Sequence, residues 1–394
     1  MRKTAVIATV GILFSTGSGV LAQGESTEGL AMQEARAKAM TERGKTISYT
    51  KKWDLSGLPK YQPQHQVSGT IRLWGSNYIV DGFLGGYWEA AFKKHHPDAR
   101  IDFQMKTTLA AVPALALGVS DLGIGRKVTF AEQELFERYK DRAPVEIELA
   151  TGSYDVPGWQ PGYGIVVHKD NPIAQLSMKQ LDGIFGAERL GGWEGTSWRP
   201  NWARGPEENI RTWGQLGLGG EWKDKPINVY GLNLRYHQAT EISDLLLKAS
   251  DKWNEHLRIY ANYVSASGKL ERGLNADLSK DRYGIAYIAA PMTNLGGRAL
   301  PPSLKVVAVA AKDGGPYLPY TLETLHDRSY PLYSRIYAYA DRAPSQPMDP
   351  KVREFLRFVV SQEGQAEVMR DGKYLPLTAE AAKAQMKKLE ELAK

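Results

Sequence analysis

Residues 69–126 read GTIRLWGSNYIVDGFLGGYWEAAFKKHHPDARIDFQMKTTLAAVPALALGVSDLGIGR, and this stretch decides the fold. Period-two alternation and helical spacing of apolar residues predict strands at 69–74, 100–105 and 122–125, and helices at 80–94 and 109–117. Gly75-Ser76-Asn77 breaks the first strand as a turn does. The strand–helix–strand order predicts an α/β fold with a parallel sheet and right-handed crossovers.

The same pattern returns further along the chain. It predicts strands at 163–168, 225–230, 283–288, 304–310 and 334–340, and helices at 177–185, 237–248, 253–260, 350–360, 365–369 and 378–393. Ser177 is the expected N-cap of its helix. Two βα halves with a return crossing predict a two-lobed protein with a ligand cleft between the lobes, rather than one continuous sheet.

The N-terminal sequence indicates export. Met1-Arg2-Lys3 is followed by an apolar run at residues 5–14 and by the small-residue site Val20-Leu21-Ala22. This is the pattern of a secretory signal peptide, and the run is well short of the roughly 20 residues that a membrane span needs. We therefore expect residues 1–22 to be removed near Ala22 and the protein to be periplasmic.

Composition excludes several classes of function. The 394 residues include no cysteine, so disulfides, thiol catalysis and cysteine-ligated metals are excluded. The formal net charge is only +6, without a dense basic tract. We expect no nucleic-acid partner, whereas a small anion remains compatible with this charge.

No motif predicts catalysis. Gly44-Lys45-Thr46 resembles the end of a P-loop, but Ala39 stands where that motif requires glycine. His95-His96 could bind a metal, but two adjacent imidazoles at a helix end are more often solvated. The i, i+4 pair of His237 and Glu241 lacks an evident third ligand for a metal. The chain is therefore expected to have no catalytic residue, no metal and no cofactor.

Small polar or basic residues follow several of the predicted strands. They are Ser76, Asn77, Thr107, Thr108, Arg126, Arg235, Tyr236 and His237. Ligands bind at the carboxyl ends of strands in open α/β sheets, and helix N-termini favour oxyanions. Helix capping alone can explain any single one of these turns. Taken together, the turns predict a shared anion-binding cleft.

An ordered series of short blocks carries a family resemblance. The blocks are NPI at 171–173, QLDGIFG at 180–186, PINV at 226–229, YGIAY at 283–287, YPL at 330–332, FLRFV at 355–359, SQEGQ at 361–365 and LPL at 375–377. Over about residues 68–380 the chain resembles the phosphate-binding proteins of ABC-type phosphate importers, in the type II periplasmic binding-protein superfamily. The resemblance implies two hinged lobes, a small anionic ligand, a permease in the inner membrane as partner, and a monomer.

The resemblance also suggests domain boundaries. After the signal peptide we expect an N-terminal extension at 23–66, lobe 1 at 67–157 plus 289–377, lobe 2 at 158–288, and a C-terminal helix at 378–394. Lobe 2 contains a tryptophan-rich insertion at 187–210 with Trp193, Trp198 and Trp202. These rings either stack on a ligand or form a surface flap packed by its own aromatic residues.

The ligand-contacting motifs depart from the family pattern. Where the family has an aspartate after the third strand, this chain has Arg126, and Arg235 lies in the altered loop after the strand at 225–230. Two arginines are expected to favour a doubly charged or larger anion. The expected function is the binding component of an importer for phosphate or a related anion. The alternative is an exported sensor of the same fold for a larger organic anion; a hydrolase is disfavoured because no nucleophile–base pair is evident.

Overall fold

A computed structural model describes residue 42 and residues 48–234, 237–260, 273–294 and 299–393. The chain divides into two compact units, Met1–Thr46 and Ile47–Lys394, and the fold given below is that of the second. The predicted signal peptide and the start of the predicted extension lie outside the described residues.

Short strands and helices alternate along the described chain. The strands are β1 Gly69–Gly75, β2 Ala99–Gln104, β3 Leu122–Gly125, β4 Val145–Thr151, β5 Tyr163–His168, β6 Gln175–Ser177, β7 Gly192–Glu194, β8 Ser197–Arg199, β9 Asn228–Leu232, β10 Arg258–Tyr260, β11 Gly284–Ala289, β12 Leu304–Ala310 and β13 Arg335–Ala340. The helices are α1 Tyr78–Asp81, α2 Leu84–Phe92, α3 Ala111–Ala116, α4 Phe130–Lys140, α5 Met178–Phe185, α6 His237–Leu246, α7 Leu274–Leu278, α8 Leu322–His326, α9 Pro350–Val359, α10 Gln362–Asp371 and α11 Ala379–Glu391.

Within the described residues, two larger sheets form two lobes. Lobe 1 is built on the order β2-β1-β3-β13-β4, in which β1 pairs in parallel with β2 and β3, and β13 is antiparallel to its neighbours. Lobe 2 is built on the order β10-β9-β11-β5-β12-β6. Each sheet has its own buried apolar cluster. The α/β two-lobed prediction is therefore confirmed.

Local signals were reliable where the sequence supplied a cap or a break. Ser177 caps α5 in a capping box with Gln180, as predicted. The predicted helix at 80–94 is divided into α1 and α2, because the backbone at Gly82 lies against the carboxylate of Asp371 and a Cβ there would lie 2.8 Å from its Oδ1. That same oxygen accepts a hydrogen bond from the backbone N–H of Phe83 at 2.8 Å.

Two predictions that depended on distant partners were wrong. The segment predicted as a helix at 253–260 ends in β10, which pairs in parallel with β9. The strand β12, placed by sequence in lobe 1 with residues 289–377, pairs with β5 and β6 in lobe 2. The chain therefore returns to lobe 1 only just before β13, because pairing with another strand, not local pattern, decides which sheet a strand joins.

Residues 48–66 of the predicted extension pack mainly on lobe 1, where Leu55, Leu58 and Tyr61 are buried in the core. The segment also contacts lobe 2, because the Trp53 ring stacks on His326 of α8 with ring centroids 3.6 Å apart. The Tyr61 hydroxyl donates to Oε2 of the fully buried Glu354 at 2.8 Å, and its oxygen lies 2.6 Å from Nε2 of His96. The helix α11 also packs on the body through Ala382 and Leu389. Among the described residues, none of the helices has the length and apolar character that a bilayer span requires.

Two chain segments cross between the lobes side by side. The backbone N–H of Gly152 donates to the carbonyl of Ser334 at 2.8 Å, and that of Tyr163 donates to the carbonyl of Leu332 at 2.9 Å. The Ser334 hydroxyl adds a bond of 3.0 Å to the carbonyl of Pro161. Gly152 is required here, because a Cβ at this position would lie 1.8 Å from the carbonyl oxygen of Gln160.

We expect Gly152→Ala to lower the free energy of unfolding by about 2–3 kcal/mol, because the added methyl group overlaps the carbonyl group of Gln160 and distorts the first crossing segment. Urea unfolding followed by circular dichroism measures the change. Gly86→Ala is the matched control, since Gly86 is exposed on α2 and a Cβ there meets no atom within 4 Å. Equal unfolding midpoints for the two variants would contradict this account of the crossing.

Candidate functional site

The carboxyl ends of β1, β2 and β3 bring the predicted site residues of lobe 1 together. Ser76 and Asn77 follow β1, Thr107 and Thr108 follow β2, and Arg126 follows β3. The backbone N–H of Ser76 donates to the carbonyl of Ile124 at 2.8 Å, and the backbone N–H of Arg126 donates to Oγ1 of Thr108 at 3.2 Å. Parallel pairing therefore places these residues at one edge of the sheet, as the sequence predicted.

The side chains at this edge are held by local contacts. Asn77 is buried and its amide donates to Oδ2 of Asp81. The Oγ1 of Thr107 accepts from the backbone N–H of Leu109 at 3.4 Å and caps the 3₁₀ turn Thr108–Ala110. These hydroxyl and amide groups are therefore positioned at the strand ends, where an oxyanion would meet them.

Arg126 is the most constrained cation of this edge. Its side chain is 4% exposed, and its guanidinium forms a bidentate pair with Glu132, with Nη1–Oε2 at 2.9 Å and Nη2–Oε1 at 3.1 Å. Its Nε has no hydrogen-bond partner among the described residues. Burial lowers the pKa of Arg126, but Glu132 and Glu241 outweigh burial and raise it above its ordinary value. The fork predicted to receive an anion is therefore filled by a carboxylate.

Both ends of the Arg126–Glu132 pair are fixed to the fold. Glu132 belongs to the capping box of α4, where its carboxylate accepts from the backbone N–H of Thr129 at 2.9 Å. The Tyr339 hydroxyl on β13 donates to the carbonyl of Arg126 at 2.9 Å and accepts from the backbone N–H of Val128 at 2.8 Å. The turn between β3 and α4 is thus a rigid platform for the guanidinium.

The lobe 2 side of the cleft is formed by α6. Its first residue is His237; the predicted site residues Arg235 and Tyr236 lie outside the described residues. Burial lowers the pKa of His237, Glu241 opposes this effect, and the charge of Arg126 adds to it. The imidazole is therefore neutral at neutral pH. The charge of Arg126 therefore acts on His237, and the charge of Glu241 acts on Arg126.

Glu241 connects this helix to the chain crossing. It is 7% exposed and accepts hydrogen bonds from the amide of Gln160 and the hydroxyl of Tyr163. Gln160 lies in the first crossing segment with φ at +48°, a left-handed conformation that is uncommon for glutamine. The sequence drew attention to Glu241 only as a weak metal-ligand candidate beside His237; the structure shows it instead as the acceptor of two hinge donors.

Asp244 is a functional candidate that the sequence analysis missed. It lies on the same face of α6 as His237 and Glu241, at i, i+4 and i+7 spacing. Burial, and then the charge of Glu241, raise the pKa of Asp244 to about 7, although Arg126 and Lys127 lower it. The polar periodicity was visible in the sequence, but the burial that raises the pKa depends on the tertiary fold.

A small cavity of about 30 Å³ lies where the first crossing meets lobe 2. It is lined by Pro157, Pro161, Gln238, Asn275, Ile288, Ala289 and Thr293. The Oδ1 atom of Asn275 is buried and has no hydrogen-bond partner among the described residues. A cavity of this size has room for about two water molecules. Its lining is mixed, with the polar residues Gln238, Asn275 and Thr293 beside four apolar residues.

The tryptophans of the insertion pack on protein. Trp193 packs on Phe130 of α4, with ring centroids 4.7 Å apart, and on Trp198 at 5.0 Å. The ammonium of Lys248 lies 5.7 Å from the Trp202 ring. The sequence left two alternatives for this insertion. These contacts favour a surface flap packed by its own aromatic residues over a surface that stacks on a ligand.

Comparison with known proteins gives one family and several relatives. A family model described as a PBP superfamily domain matches residues 62–363. Phosphate-binding protein PstS of Pseudomonas aeruginosa, in strains PAO1 and UCBPP-PA14, is 31% identical over 334 residues, which cover 84% of this chain and 90% of each relative.

Solved structures are similar at lower sequence identity. PstS from Borrelia burgdorferi has a TM-score of 0.49 and 16% identity, with coverage of 79% of this chain and 100% of that chain. An ABC-type phosphate transport receptor from Vibrio cholerae has a TM-score of 0.45 and 17% identity, with coverage of 78% and 99% respectively.

The pKa of Asp244 predicts how stability depends on pH. The folded state holds a proton up to about pH 7, whereas the unfolded chain loses it near 3.8, so the folded protein binds more protons in this window. Stability contributed by this group therefore falls as pH rises from about 4 to 7 and stays low above that range.

We expect Asp244→Asn to remove this dependence and to stabilise the protein at pH 8 by on the order of 2 kcal/mol relative to wild type. Chemical unfolding at pH 5 and pH 8 tests this expectation. Asp224→Asn, at an exposed position of lobe 2, is the control and is expected to leave the pH profile unchanged. Identical profiles for wild type and Asp244→Asn would refute the assignment.

Proposed function

The chain belongs to the PBP superfamily, and from this premise we propose that it is the phosphate-binding component of an ABC-type importer. It is exported to the periplasm with cleavage near Ala22, binds phosphate between its lobes as a monomer, and delivers it to a permease of the inner membrane. It binds its ligand without converting it.

One observation carries this proposal. The ends of β1, β2 and β3 lie together at one edge of the lobe 1 sheet, in a chain that is 31% identical over most of its length to relatives named phosphate-binding protein. The hydroxyl groups of Thr107 and Thr108 and the first turn of α6 are suited to the oxygens of an oxyanion. Closure of the two lobes would surround such a ligand, and the ligand would shift the population towards the closed form.

Arg126 would bind the anion by exchanging its present partner, the carboxylate of Glu132, for phosphate. Its guanidinium is now paired with Glu132, and phosphate presents the same bidentate acceptor geometry as that carboxylate. Glu132 therefore competes with the ligand for the arginine fork. Competition of this kind weakens affinity, but it keeps a buried cation paired when no ligand is bound.

The carboxyl groups of α6 bear on selectivity. Arg126 stands where the family has an aspartate. An arginine at this position by itself favours a doubly charged anion. Glu241 and Asp244 bring two carboxyl groups to the opposite wall, one with a pKa of about 7. Carboxyl groups repel fully ionised sulfate, whereas phosphate retains a proton that a carboxylate can accept. The two walls together favour phosphate over sulfate.

We expect inorganic phosphate to raise the thermal stability of the protein, by about 2.7 kcal/mol of stabilising free energy at a concentration 100 times Kd, because it binds the native state alone. Thermal-shift measurements with phosphate, sulfate, phosphonates, sugar phosphates and dicarboxylates form the test. Sulfate is expected to give no shift. Stabilisation by a sugar phosphate or dicarboxylate, without any by phosphate, would instead support the sensor alternative.

The role of Arg126 has its own test in direct titration calorimetry with phosphate. Arg126→Ala is expected to weaken phosphate binding roughly 10- to 100-fold, the value of hydrogen bonds to a charged group. Glu132→Gln is expected to strengthen it, because the amide oxygen still accepts from Thr129 while the competing charge is gone. Arg138→Ala, on an exposed arginine of α4, is the control. Unchanged affinity in both Arg126→Ala and Glu132→Gln would remove Arg126 from the site.

A further inference from the structure

The insertion at 187–210 contains a hairpin that is anchored to lobe 2. Its strands β7 and β8 pair with each other, with Trp193 opposite Trp198. The backbone N–H of Trp193 donates to the carbonyl of Lys248, just beyond α6, at 2.8 Å. At its base, Arg189 and Arg204 exchange two backbone hydrogen bonds of 2.9 Å. The hairpin therefore moves with α6 and the rest of lobe 2.

The tip of the hairpin reaches lobe 1. The Thr196 hydroxyl contacts the carboxylate of Glu137, with Oγ1 at 2.9 Å from Oε2 and 3.0 Å from Oε1. Gly195, with φ at +58°, brings its backbone so close to Gln133 that a Cβ would lie 2.8 Å from the side-chain amide. The Trp193 ring packs on Phe130.

All of these contacts are made with one face of helix α4. Phe130, Gln133 and Glu137 lie at i, i+3 and i+7 along α4, and each touches the hairpin. The contact is small: one hydroxyl–carboxylate bond, one ring pair and one close backbone approach. An interface of this size holds weakly, which suits an element that opens and closes repeatedly.

The same helix carries the partner of the site arginine. Glu132 lies in the first turn of α4 and pairs with Arg126, while the hairpin is fixed to the end of α6, the helix that carries Glu241 and Asp244. The hairpin thus joins the two helices that flank the cleft, at a point remote from the chain crossings. The hairpin therefore links the two lobes at a second place, in addition to the chain crossings.

We propose that the hairpin at 192–199 is a closure strap: it binds α4 when the lobes close and slows release of the ligand. The strap acts on the lifetime of the closed form more than on capture of the ligand, because its contacts with α4 must break before the closed lobes can open. Removing them is expected to raise the dissociation rate and leave the association rate nearly unchanged.

Two pairs of variants test the strap. Thr196→Val removes the hydroxyl that contacts Glu137, and Ser197→Val removes a hydroxyl from the neighbouring exposed position as its control. Phe130→Ala removes the ring under Trp193, and Tyr139→Ala removes an exposed ring from the same helix. In stopped-flow measurements, Thr196→Val and Phe130→Ala are each expected to speed release of inorganic phosphate roughly three- to tenfold. Both controls are expected to match wild type.

A second measurement does not depend on the identity of the ligand. Because the chain has no cysteine, Lys223→Cys in lobe 2 and Lys387→Cys on α11 of lobe 1 accept spin labels selectively. Thr196→Val and Phe130→Ala are expected to shift the interlobe distances of the ligand-free protein to longer values than their controls do. The release rates rest on the proposed function, whereas these distances do not.

The outcomes separate the two proposals. If phosphate does not bind but the interlobe distances lengthen in Thr196→Val and Phe130→Ala, the results support the strap and contradict phosphate as the ligand. If the distances of both variants match those of Ser197→Val and Tyr139→Ala, the strap is overturned, whether or not phosphate binds.

Discussion

Two hydrogen-bonded chain crossings govern how this protein can work. The bonds from Gly152 to Ser334 and from Tyr163 to Leu332 join the two segments between two sheets that each have their own apolar cluster. Tyr49 and Trp53 pack against both clusters, so apolar contacts also link the lobes. A rotation of the lobes must bend the crossing segments, because these segments connect one sheet to the other.

The crossing also contributes directly to the site. Gln160 adopts a left-handed backbone conformation in the first segment, and its amide donates to the buried carboxylate of Glu241 on α6. Tyr163, the first residue of β5 after the same segment, donates to the other carboxylate oxygen. Tyr163 and α6 both belong to lobe 2, whereas Gln160 lies in the crossing segment, so a rotation of the lobes acts on the bond between Gln160 and Glu241.

Sequence patterns predicted features that depend on neighbours along the chain. The strand ends at Ser76, Thr107 and Arg126 were found because a strand, a polar break and a helix follow each other within a few residues, and parallel pairing then brought them together. The pairing of Arg126 with Glu132 was missed, although the two are six residues apart, because a bidentate contact depends on the turn geometry between them.

Features set by contacts distant in sequence escaped prediction in the same way. The strand β12 has an apolar pattern that suits either sheet, and only its pairing with β5 and β6 decides the choice. The pKa of Asp244 depends on burial and on charges from both lobes, including Lys127 and Glu132. Burial raises this pKa most and Glu241 on the same helix raises it next, whereas Arg126 and Lys127 of lobe 1 lower it. Arg126 therefore does not leave the cleft without acidic groups: Glu241 and Asp244 lie on α6, where burial and the charge of Glu241 raise the pKa of Asp244.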